Sequence, residues 1–344
     1  MPARSLLLLY GLDEQTLPVD AECTRHTIEQ AKEALASRGW QVQTCLVSNN
    51  LEAALAPYSP GDWLVFNLCE GSPGQPFYYA RVAQLLEERG FGFTGCDADA
   101  LDQTQFKPSM KRLLERAGVA TPRWAAVEQG EDLRFDHFPA IVKPAGEHCS
   151  FGITRNSVVF DPAQARAQAA AMAQQYQGGA LVEEFLDSPE YGIALWGEGE
   201  EGLDVLGISV IDYDALSELR DRLCTFEAKW MPETEIYQKT MPVCPAPLNP
   251  SFKHQLESLA RQAYLACGLR DYGRIDIRLR ANEPMVLDVN ANCALSKNAG
   301  FQDTARIAGW DYPAVLDRLA QMAAGRAPRL RASSRLSRER EPGT

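Results

Sequence analysis

The sequence predicts a protein of mixed α/β and α+β class, with several domains and a parallel sheet in the first of them. Its 344 residues exceed what one hydrophobic core usually organises, which favours two or three domains. Over the first 100 residues, short apolar runs alternate with amphipathic helical stretches, as in strands that are joined by crossover helices. After residue 180 the pattern becomes rich in strands, which indicates a second region dominated by sheet.

The first domain is predicted to cover residues 1–100. Apolar runs indicate strands at 4–10, 40–47 and 62–68. Amphipathic periodicity indicates helices at 21–38 and 76–89. Because helices separate these strands, the strands are expected to lie parallel to one another.

Two further units are predicted from residue 101 onward. A small α+β unit at 101–180 has helices at 107–117 and 162–176 and strands at 123–127, 139–144 and 152–159. The unit at 181–326 has strands at 180–186, 191–196, 203–211, 273–279 and 285–290. Its helices are expected at 250–267, 302–308 and 312–324.

Two segments carry no clear periodicity. Residues 212–247 are expected to form one long loop, and loops of that length often act as lids over a site. Residues 327–344 are rich in arginine, serine and proline and are expected to form a disordered basic tail.

Composition and charge narrow the classes of function. A net charge of −12 argues against a nucleic-acid-binding protein and favours small-molecule chemistry. The nine cysteines never form a Cys-x-x-Cys pair, so neither a zinc site nor a disulfide framework is expected, and most should be reduced and buried. The chain has no stretch of 18 apolar residues, and the first apolar run is too short for a signal peptide. We therefore expect a cytoplasmic protein with no nucleic-acid or membrane partner.

Residues 197–202 match the G-x-G-x-x-G pattern of dinucleotide-binding sites. That motif needs a helix after it and amide groups that face phosphate. Here a strand follows, and three glutamates would repel a pyrophosphate, so we interpret the match as a turn between strands. The chain contains no Walker A sequence either, so a nucleotide site must be of another kind.

Two alternating stretches, 273–279 and 285–290, are predicted to form a hairpin with its turn near Asn282. In the first strand the polar side chains share one face: Arg274, Asp276 and Arg278. In the second strand, a period of two places Asp288 and Asn290 on one face and Met285, Leu287 and Val289 on the other.

In such a hairpin Asp276 lies opposite Asp288, and Arg274 lies opposite Asn290. Two opposed carboxylates repel each other unless a cation lies between them. Carboxylate and amide oxygens suit Mg²⁺ ions that are shared with phosphate, so Asp276, Asp288 and Asn290 are candidate metal ligands. Arg274 is a candidate for holding a transferring phosphoryl group. A hairpin with a polar face toward solvent would explain the same spacing.

Several motifs in order resemble the ATP-grasp enzymes, and within them the D-alanine–D-alanine ligases, over about residues 62–324. The matching segments are a substrate loop at 65–71, a lysine-containing helix at 107–111, a second lysine with its phosphate loop at 141–152, an adenine hinge at 181–186, a lid at 226–230 and the hairpin at 274–290. The resemblance implies a three-domain ATP-grasp architecture that uses ATP and two Mg²⁺ ions, with Mn²⁺ as an alternative. Similar proteins are often homodimers.

The resemblance also implies a role for individual residues. The expected nucleotide-binding residues are Lys107, Lys143, Glu183, Glu184, Phe185, Leu186, Glu190 and Lys229. The expected catalytic residues are Arg274, Lys229 and Ser150. Glu183 is expected to accept from the adenine amino group, and backbone groups near Phe185 to read the edge of the ring. Glu190 is expected to bind the ribose hydroxyls.

The chain departs from the family mainly where the amino-acid substrates bind. The phosphate loop has His148-Cys149-Ser150 in place of Gly-Ser-Ser, the lid ends in Trp rather than Tyr, and residues 291–295 replace Thr-x-Pro-Gly-Met-Thr. A metal-binding glutamate of the family is an aspartate here. We expect substrate contacts from Glu14, Glu70, Cys149, Trp230 and Asn292. For Cys149, a thiol packed in the loop is favoured over a nucleophile activated by His148.

The resemblance implies a ligase that joins a carboxylate to an amine through an acyl phosphate, and the departures from the family indicate at least one substrate other than D-alanine. Three alternatives stay open: a genuine D-alanine–D-alanine ligase, an ATP-grasp phosphotransferase, and a nucleotide-binding protein without turnover. Retention of both lysines, of Arg274 and of the three metal-type residues argues against the last of these.

Overall fold

A computed structural model gives the fold of the chain. It describes residues 4–12, 18–47, 50–69, 78–128, 132–148, 150–231 and 233–326. Within these ranges, eleven strands form three sheets with eleven α-helices around them. The fold has the predicted mixed α/β and α+β character, and its first sheet is parallel as expected.

The N-terminal sheet has three parallel strands in the order β2-β1-β3. They are β1 (Arg4–Gly11), β2 (Trp40–Val47) and β3 (Leu64–Leu68). The helices of this region are α1 (Pro18–Ser37), α2 (Leu51–Leu55) and α3 (Tyr78–Glu88). All four leucines at 6–9 are fully buried, because alternate residues pack with α1 on one face and with α2 and α3 on the other.

The second sheet is antiparallel, with the order β4-β7-β5-β6. Its strands are β4 (Trp124–Val127), β5 (Ala140–Pro144), β6 (Val158–Val159) and β7 (Ala180–Glu184). The helices that follow α3 in this part of the chain are α4 (Ala98–Gln105), α5 (Lys107–Arg116) and α6 (Pro162–Gln175), and of these α6 packs on the sheet. The predicted domain boundary after residue 180 would cut β7, which pairs with β4 and β5, so we propose that this unit extends to the end of β7.

The third sheet is also antiparallel, with the order β11-β10-β8-β9. Its strands are β8 (Glu190–Gly197), β9 (Asp204–Ile211), β10 (Asp271–Arg280) and β11 (Glu283–Ala291). The helices from this point to the last described residue are α7 (Phe226–Trp230), α8 (Glu235–Lys239), α9 (Pro250–Ala266), α10 (Gly300–Ile307) and α11 (Tyr312–Arg326).

The glycine-rich stretch at 197–202 is a turn between β8 and β9, as predicted. Gly197 has a φ of +121°, and a Cβ atom added to it would come within 1.9 Å of the carbonyl oxygen of Gly202. Gly197 is therefore required by the close approach of two backbone segments, and no nucleotide is needed to explain it.

The prediction of one long loop at 212–247, which we call the lid segment, is partly wrong. The segment contains a short turn of 3₁₀-helix at Leu219–Asp221 and the helices α7 and α8. Threonine side chains cap both helices, with Thr225 accepting from the N–H of Ala228 and Thr234 from that of Tyr237. Five-residue helices are too short to show a helical period, so the sequence gives no periodic signal for them.

A buried ion pair joins the end of α11 to the start of β10. Asp271 is fully buried and has a φ of +63°. Its carboxylate accepts from both terminal nitrogens of Arg326, at 2.5 and 2.7 Å, and from the N–H of Gly95 at 2.7 Å. Three distant segments therefore meet at one carboxylate.

An Arg326→Met variant is expected to lower the free energy of unfolding by about 2 kcal/mol, because it leaves a buried carboxylate with only part of its hydrogen bonds. Denaturant unfolding measures the effect. The matched control is Arg306→Met on α10, whose arginine is largely exposed and pairs with Asp303 on the surface. Equal losses in the two variants would contradict the expectation.

No disulfide joins the eight cysteines in the described part of the chain, and five of them are buried.

Among the helices that the structure describes, none combines the length and the apolar character that crossing a membrane requires. The predicted basic tail at 327–344 lies outside the described residues.

Candidate active site

A cavity opens between the second and third sheets, with the lid segment along one side. The predicted nucleotide, catalytic and metal residues all line it: Lys107, Lys143, Ser150, Glu183, Glu184, Phe185, Leu186, Glu190, Lys229, Arg274, Asp276, Asp288 and Asn290. These residues come from eight separate segments of the sequence. The ordered motifs therefore meet at one cavity.

The hairpin of β10 and β11 has the predicted register. Asp276 pairs with Asp288, and Arg274 pairs with Asn290. The turn at Ala281 and Asn282 has positive φ at both residues, as a two-residue hairpin turn of type I′ requires.

The predicted orientation of Leu287 is wrong. A β-bulge interrupts the register between Asp276 and Ile277, so that Asp288 and Val286 pair with consecutive residues of β10. Val286 and Val289 are buried in the core, whereas Leu287 and Asp288 both line the cavity. The extra residue breaks the period of two that the prediction assumed.

The donor atoms around Asp276 fit a hard cation. Asn290 donates its Nδ2 hydrogens to Asp276 Oδ2 at 2.8 Å and to the carbonyl oxygen of Arg274 at 3.2 Å. Since both amide hydrogens are engaged, the amide oxygen is the atom left for a cation. With the carboxylates of Asp276 and Asp288, it forms an all-oxygen set of the kind that Mg²⁺ prefers. Among the described residues, no cluster of three or more His, Cys, Asp or Glu side chains suits a metal, so this mixed set is the candidate.

Arg274 is already engaged by a carboxylate. Its Nε donates to Asp276 Oδ1 at 2.7 Å and its Nη2 to Asp276 Oδ2 at 3.0 Å. Asp276 raises the pKa of the Arg274 guanidinium further above its ordinary value, so the group is charged at every working pH. Two of its five N–H donors bind the aspartate, and three are left for an anion in the cavity.

The carboxylate of Glu183 is engaged by two lysines. The side chain is 1% exposed, and it pairs with Lys143 at 2.8 Å and with Lys111 on its other oxygen. Burial opposes its charge, but the two ammonium groups hold the pKa of the Glu183 carboxyl below its usual value. The carboxylate therefore holds two lysines in place at the cavity, a role that the sequence did not predict.

Lys111 was not predicted to have a role. It is fully buried and donates to Thr121 Oγ1 at 2.8 Å, to the carbonyl oxygen of Leu287 at 3.0 Å and to that of Val286 at 3.3 Å. It thereby connects β7, through Glu183, to the bulge of β11. A lysine on an amphipathic helix normally indicates a solvated face, so the sequence carried no local signal for this contact.

Lys107 and Asp288 lie within electrostatic reach of each other. Burial lowers the pKa of the Lys107 ammonium, and Asp288 counteracts part of this shift. Burial alone would raise the pKa of Asp288, but Lys107 and the nearby lysines hold it below its usual range. The carboxylate is therefore charged at neutral pH and available to a cation.

The hinge after β7 is held by contacts that limit which groups can read a base. The N–H of Phe185 donates to the carbonyl oxygen of Pro139 at 2.9 Å, so this one backbone donor is already engaged. Glu184 pairs with Arg280. Ile141, Phe185 and Leu223 form one apolar cluster that lines the cavity, so this end offers an apolar slot for a flat ring.

The phosphate loop is held at both ends. Gly152 has a φ of +74°, and a Cβ there would meet Pro144 at 2.6 Å, which explains the glycine. The hydroxyl of Ser150 donates to the carbonyl oxygen of Cys224 in the lid segment at 2.6 Å. His148 Nε2 lies 3.0 Å from the carbonyl oxygen of Gln105, which makes Nε2 the protonated nitrogen.

His148 is expected to make the folded protein less stable as the pH falls. Burial, followed by the charge of Lys107, lowers the pKa of His148 to about 4. The unfolded chain has a histidine pKa of about 6.5, so between these values it binds more protons than the folded chain, and stability falls with pH across that window. Because the ring is partly exposed, we expect about 2 kcal/mol at most.

Urea unfolding of wild type and His148→Gln between pH 7 and 4 tests this expectation. The variant should show a smaller loss of stability across the window than the wild type. His254→Gln, at an exposed position of α9, is the matched control. An equal pH dependence in wild type and His148→Gln would contradict the assignment.

Of the remaining predicted residues, only some fall in the part of the chain that the structure describes. Lys229 lies on α7 and lines the cavity. Glu14, Glu70, Cys149 and the side chain of Trp230 lie outside the described residues.

Asn292, which is predicted to contact a substrate, does not line this cavity. It is 8% exposed, and its Oδ1 accepts from the N–H of Cys96 at 2.8 Å. Its φ of +51° belongs to the left-handed region that asparagine tolerates. The side chain therefore fixes the chain after β11 to the segment before α4.

Comparisons with known proteins point to one family. The sequence model described as "D-ala D-ala ligase C-terminus" matches residues 113–321. The uncharacterized protein y4sG of Sinorhizobium fredii is 31% identical over 298 residues, which cover 84% of this chain and 85% of that protein. A D-alanine–D-alanine ligase of Cupriavidus necator is 28% identical over 238 residues, which are 67% of each chain.

Solved structures show the same fold. The D-alanine–D-alanine ligase of Bacillus anthracis complexed with ATP superposes with a TM-score of 0.73 at 17% identity, covering 94% of this chain and 98% of that chain. A second structure of the same ligase gives a TM-score of 0.74. The similarity of the two folds extends over nearly the whole of both chains.

Proposed function

The chain belongs to the D-alanine–D-alanine ligase family. We propose that it joins a carboxylate to an amine through an acyl phosphate, and that at least one of these two substrates is not D-alanine. The protein is an ATP-grasp ligase that uses ATP and forms an amide bond. One observation carries the proposal. Lys107, Lys143 and Arg274 converge on the cavity that also contains the paired carboxylates of Asp276 and Asp288.

The proposed reaction has two steps. In the first, a carboxylate oxygen of the substrate attacks the γ-phosphorus of ATP, the bond to ADP breaks, and an acyl phosphate forms. In the second, an amine attacks the acyl carbon, phosphate leaves, and the amide forms with release of a proton. The protein contributes mainly by positioning the reactants and by stabilising charge.

Six polar or charged residues of the cavity have a task in this scheme. Lys107 and Lys143 neutralise phosphate oxygens as point charges. Arg274 directs its remaining N–H donors at the phosphoryl group and at the oxyanion of the second step. Mg²⁺ would be held by Asp276, Asp288 and Asn290, and it would neutralise charge on the phosphate oxygens.

The lid segment supplies two further groups. Lys229 on α7 reaches the cavity, so closure of α7 would add a positive charge beside the terminal phosphate and exclude water. The hydroxyl of Ser150, which now donates to Cys224, lies where the lid meets the phosphate loop. It can turn toward a substrate carboxylate when the lid moves.

Two regions support a substrate pair other than two D-alanines. The phosphate loop carries the imidazole of His148 at the cavity, where the family has glycine. After β11, Asn292 and Leu295 are buried in protein contacts, so this segment does not offer the side chains that the family uses for its second substrate. The residues proposed for phosphate chemistry are retained, whereas the segment that would contact the second substrate differs from that of the family.

A screen for ADP release over amino acids and small amines, singly and in pairs, tests the proposal. Mass spectrometry of active mixtures identifies the product. An amide product with ATP-dependent turnover supports a ligase, and turnover with D-alanine alone would identify a genuine D-alanine–D-alanine ligase. A phosphorylated product without an amide would instead indicate a phosphotransferase. ATP binding without turnover under any mixture would contradict the proposal.

We also propose the three-unit organisation of the chain, with the middle unit ending after β7, and a homodimeric assembly. Sedimentation velocity with and without ATP would test the assembly. A single species with the mass of one chain would contradict it.

A further inference from the structure

Arg278 is a buried guanidinium at the cavity to which the proposed chemistry gives no task. It lies on β10, two residues after Asp276, and it is 3% exposed. The sequence places it on the polar face of the strand. A charged side chain that is almost fully buried costs free energy unless it is well paired, so its contacts indicate what it does.

Each nitrogen of this guanidinium has a partner. Nε donates to Glu190 Oε2 at 3.1 Å, Nη1 to the carbonyl oxygen of Leu186 at 3.0 Å, and Nη2 to the carbonyl oxygen of Arg222 at 3.0 Å. One arginine therefore connects the start of β8, the hinge after β7 and the lid segment.

Two aromatic rings fix the plane of the group. The guanidinium carbon lies 4.5 Å from the ring centroid of Tyr213 and 5.5 Å from that of Phe185. Tyr213 is 2% exposed and Phe185 is 6% exposed, so neither ring is free to move away. Arg278 is therefore rigid before any ligand arrives.

We infer that Arg278 is a positioning residue that holds the carboxylate of Glu190 ready for the ribose of the nucleotide. Glu190 lines the cavity, and Arg278 binds only one of its two oxygens. The second oxygen is left to accept from a ribose hydroxyl. The inference rests on the proposed function, because it needs ATP in this cavity.

Fixing Glu190 has a physical consequence for affinity. A glutamate that is free to rotate loses conformational freedom when it binds a ligand, and this loss weakens binding. A glutamate that Arg278 already holds does not lose that freedom. The ribose contact should therefore depend on both side chains rather than on Glu190 alone.

A purely structural role for Arg278 gives a different expectation. If the group only joined three segments, its loss would weaken the binding of every adenine nucleotide to a similar degree. If it positions Glu190, its loss weakens the binding of nucleotides that have ribose hydroxyls and leaves the binding of those without them nearly unchanged. The ratio of the two affinities separates these roles.

The experiment compares ATP with 2′,3′-dideoxy-ATP in calorimetric binding measurements, which need no second substrate. We expect the wild type to bind ATP about 10-fold or more tightly than the dideoxy analogue, as for loss of a hydrogen bond to a charged group. Arg278→Met and Glu190→Gln should each reduce this preference to about threefold or less. The double variant should show no further reduction, since the two residues act as one unit.

Arg280→Met is the matched control, because this arginine lies two residues along the same strand and pairs with Glu184 rather than Glu190. Its absolute affinity for nucleotides can change, but its preference for ATP over the dideoxy analogue should equal that of the wild type. If Arg278→Met does not fold, Arg278→Lys provides the test, because lysine keeps the charge but not the planar set of donors.

An unchanged preference for ATP in a folded Arg278 variant would overturn the inference, as would a wild type that binds both nucleotides equally. A wild type that binds neither nucleotide would reject the proposed function itself. The two failures are therefore distinguishable.

Discussion

An Asp288→Asn variant is expected to release ADP at least about 1,000-fold more slowly than the wild type while keeping its fold. The carboxylate faces the cavity opposite Asp276 and lies among the cavity lysines. Asparagine has nearly the same shape but removes the negative charge that a hard cation requires. A loss of about 4 kcal/mol in transition-state stabilisation corresponds to this change in rate.

The fold should survive because the local contact can be retained. Asp288 Oδ1 accepts from the N–H of Val289 at 3.0 Å, and an asparagine oxygen can accept the same hydrogen. Circular dichroism and the melting temperature should therefore stay close to the wild-type values. A Mg²⁺ titration of the residual activity should show a higher concentration for half-maximal rate.

Asp303→Asn provides the matched control. This aspartate lies on α10 and pairs with Arg306 at the surface. It should retain wild-type turnover, since exposed ion pairs contribute little. If Asp288→Asn kept more than a tenth of the wild-type rate at saturating Mg²⁺, the metal assignment would be wrong.

The parts of this site that the sequence predicts are those with a local period or an ordered motif. The register of β10 and β11 follows from a period of two on each strand and a turn at Asn282. The convergence of Lys107, Lys143 and Arg274 follows from motifs whose order along the chain is specific.

The bulge at Leu287 could not be predicted in this way. A bulge adds one residue to one strand, and what stabilises it here lies far away in the sequence. The carbonyl oxygens of Val286 and Leu287 accept from Lys111, and that of Val286 also accepts from Thr121. Contacts between residues separated by more than 160 positions leave no local pattern.

The lysine contacts of Glu183 could not be predicted for a related reason. A carboxylate on a hinge strand is a reasonable acceptor for an amino group as long as its neighbours are unknown. Two lysines from different elements occupy its oxygens, one from α5 and one from β5. The role of the residue thus depends on packing between elements, which propensity and spacing do not report.

Replacing Lys111 by methionine is expected to lower the free energy of unfolding by about 3–5 kcal/mol, because it removes one partner of a buried ion pair. The loss leaves Glu183, which is 1% exposed, with only Lys143. It also removes a donor from the two carbonyl oxygens at the bulge. Methionine nearly fills the volume of the side chain, so lost packing is a minor part of the effect.

Lys253→Met is the control for this substitution. Lys253 is an exposed lysine on α9 whose Nζ lies 3.7 Å from Glu257. Its replacement should change stability by no more than about 0.5 kcal/mol, as is usual for surface positions. Denaturant unfolding of both variants under the same conditions gives the comparison, and a similar small effect in the two would refute the role of Lys111.

The pH dependence identifies the cause of the loss. In the wild type the depressed pKa of Glu183 means that its charge contributes stability above about pH 4.5, and this contribution disappears as the pH falls through the folded pKa. Without Lys111, one of the two charges that oppose the effect of burial is removed, so we expect the Glu183 carboxyl of the folded variant to have a higher pKa than in the wild type. The carboxyl then takes up its proton at a higher pH, and below that pH the variant no longer contains an underpaired buried charge. The difference in stability between wild type and Lys111→Met should therefore be largest near neutral pH and should shrink toward pH 4.

A second substitution gives the same information at constant pH. In Lys111→Met/Glu183→Gln the buried carboxylate is replaced by an uncharged amide, so the double variant should recover about half of the loss. If the damage came only from the two carbonyl oxygens at the bulge, the second change would recover nothing. Recovery of stability in the double variant would mean that Lys111 acts mainly on β7, through Glu183. No recovery would mean that it acts mainly on β11, the strand that carries Asp288.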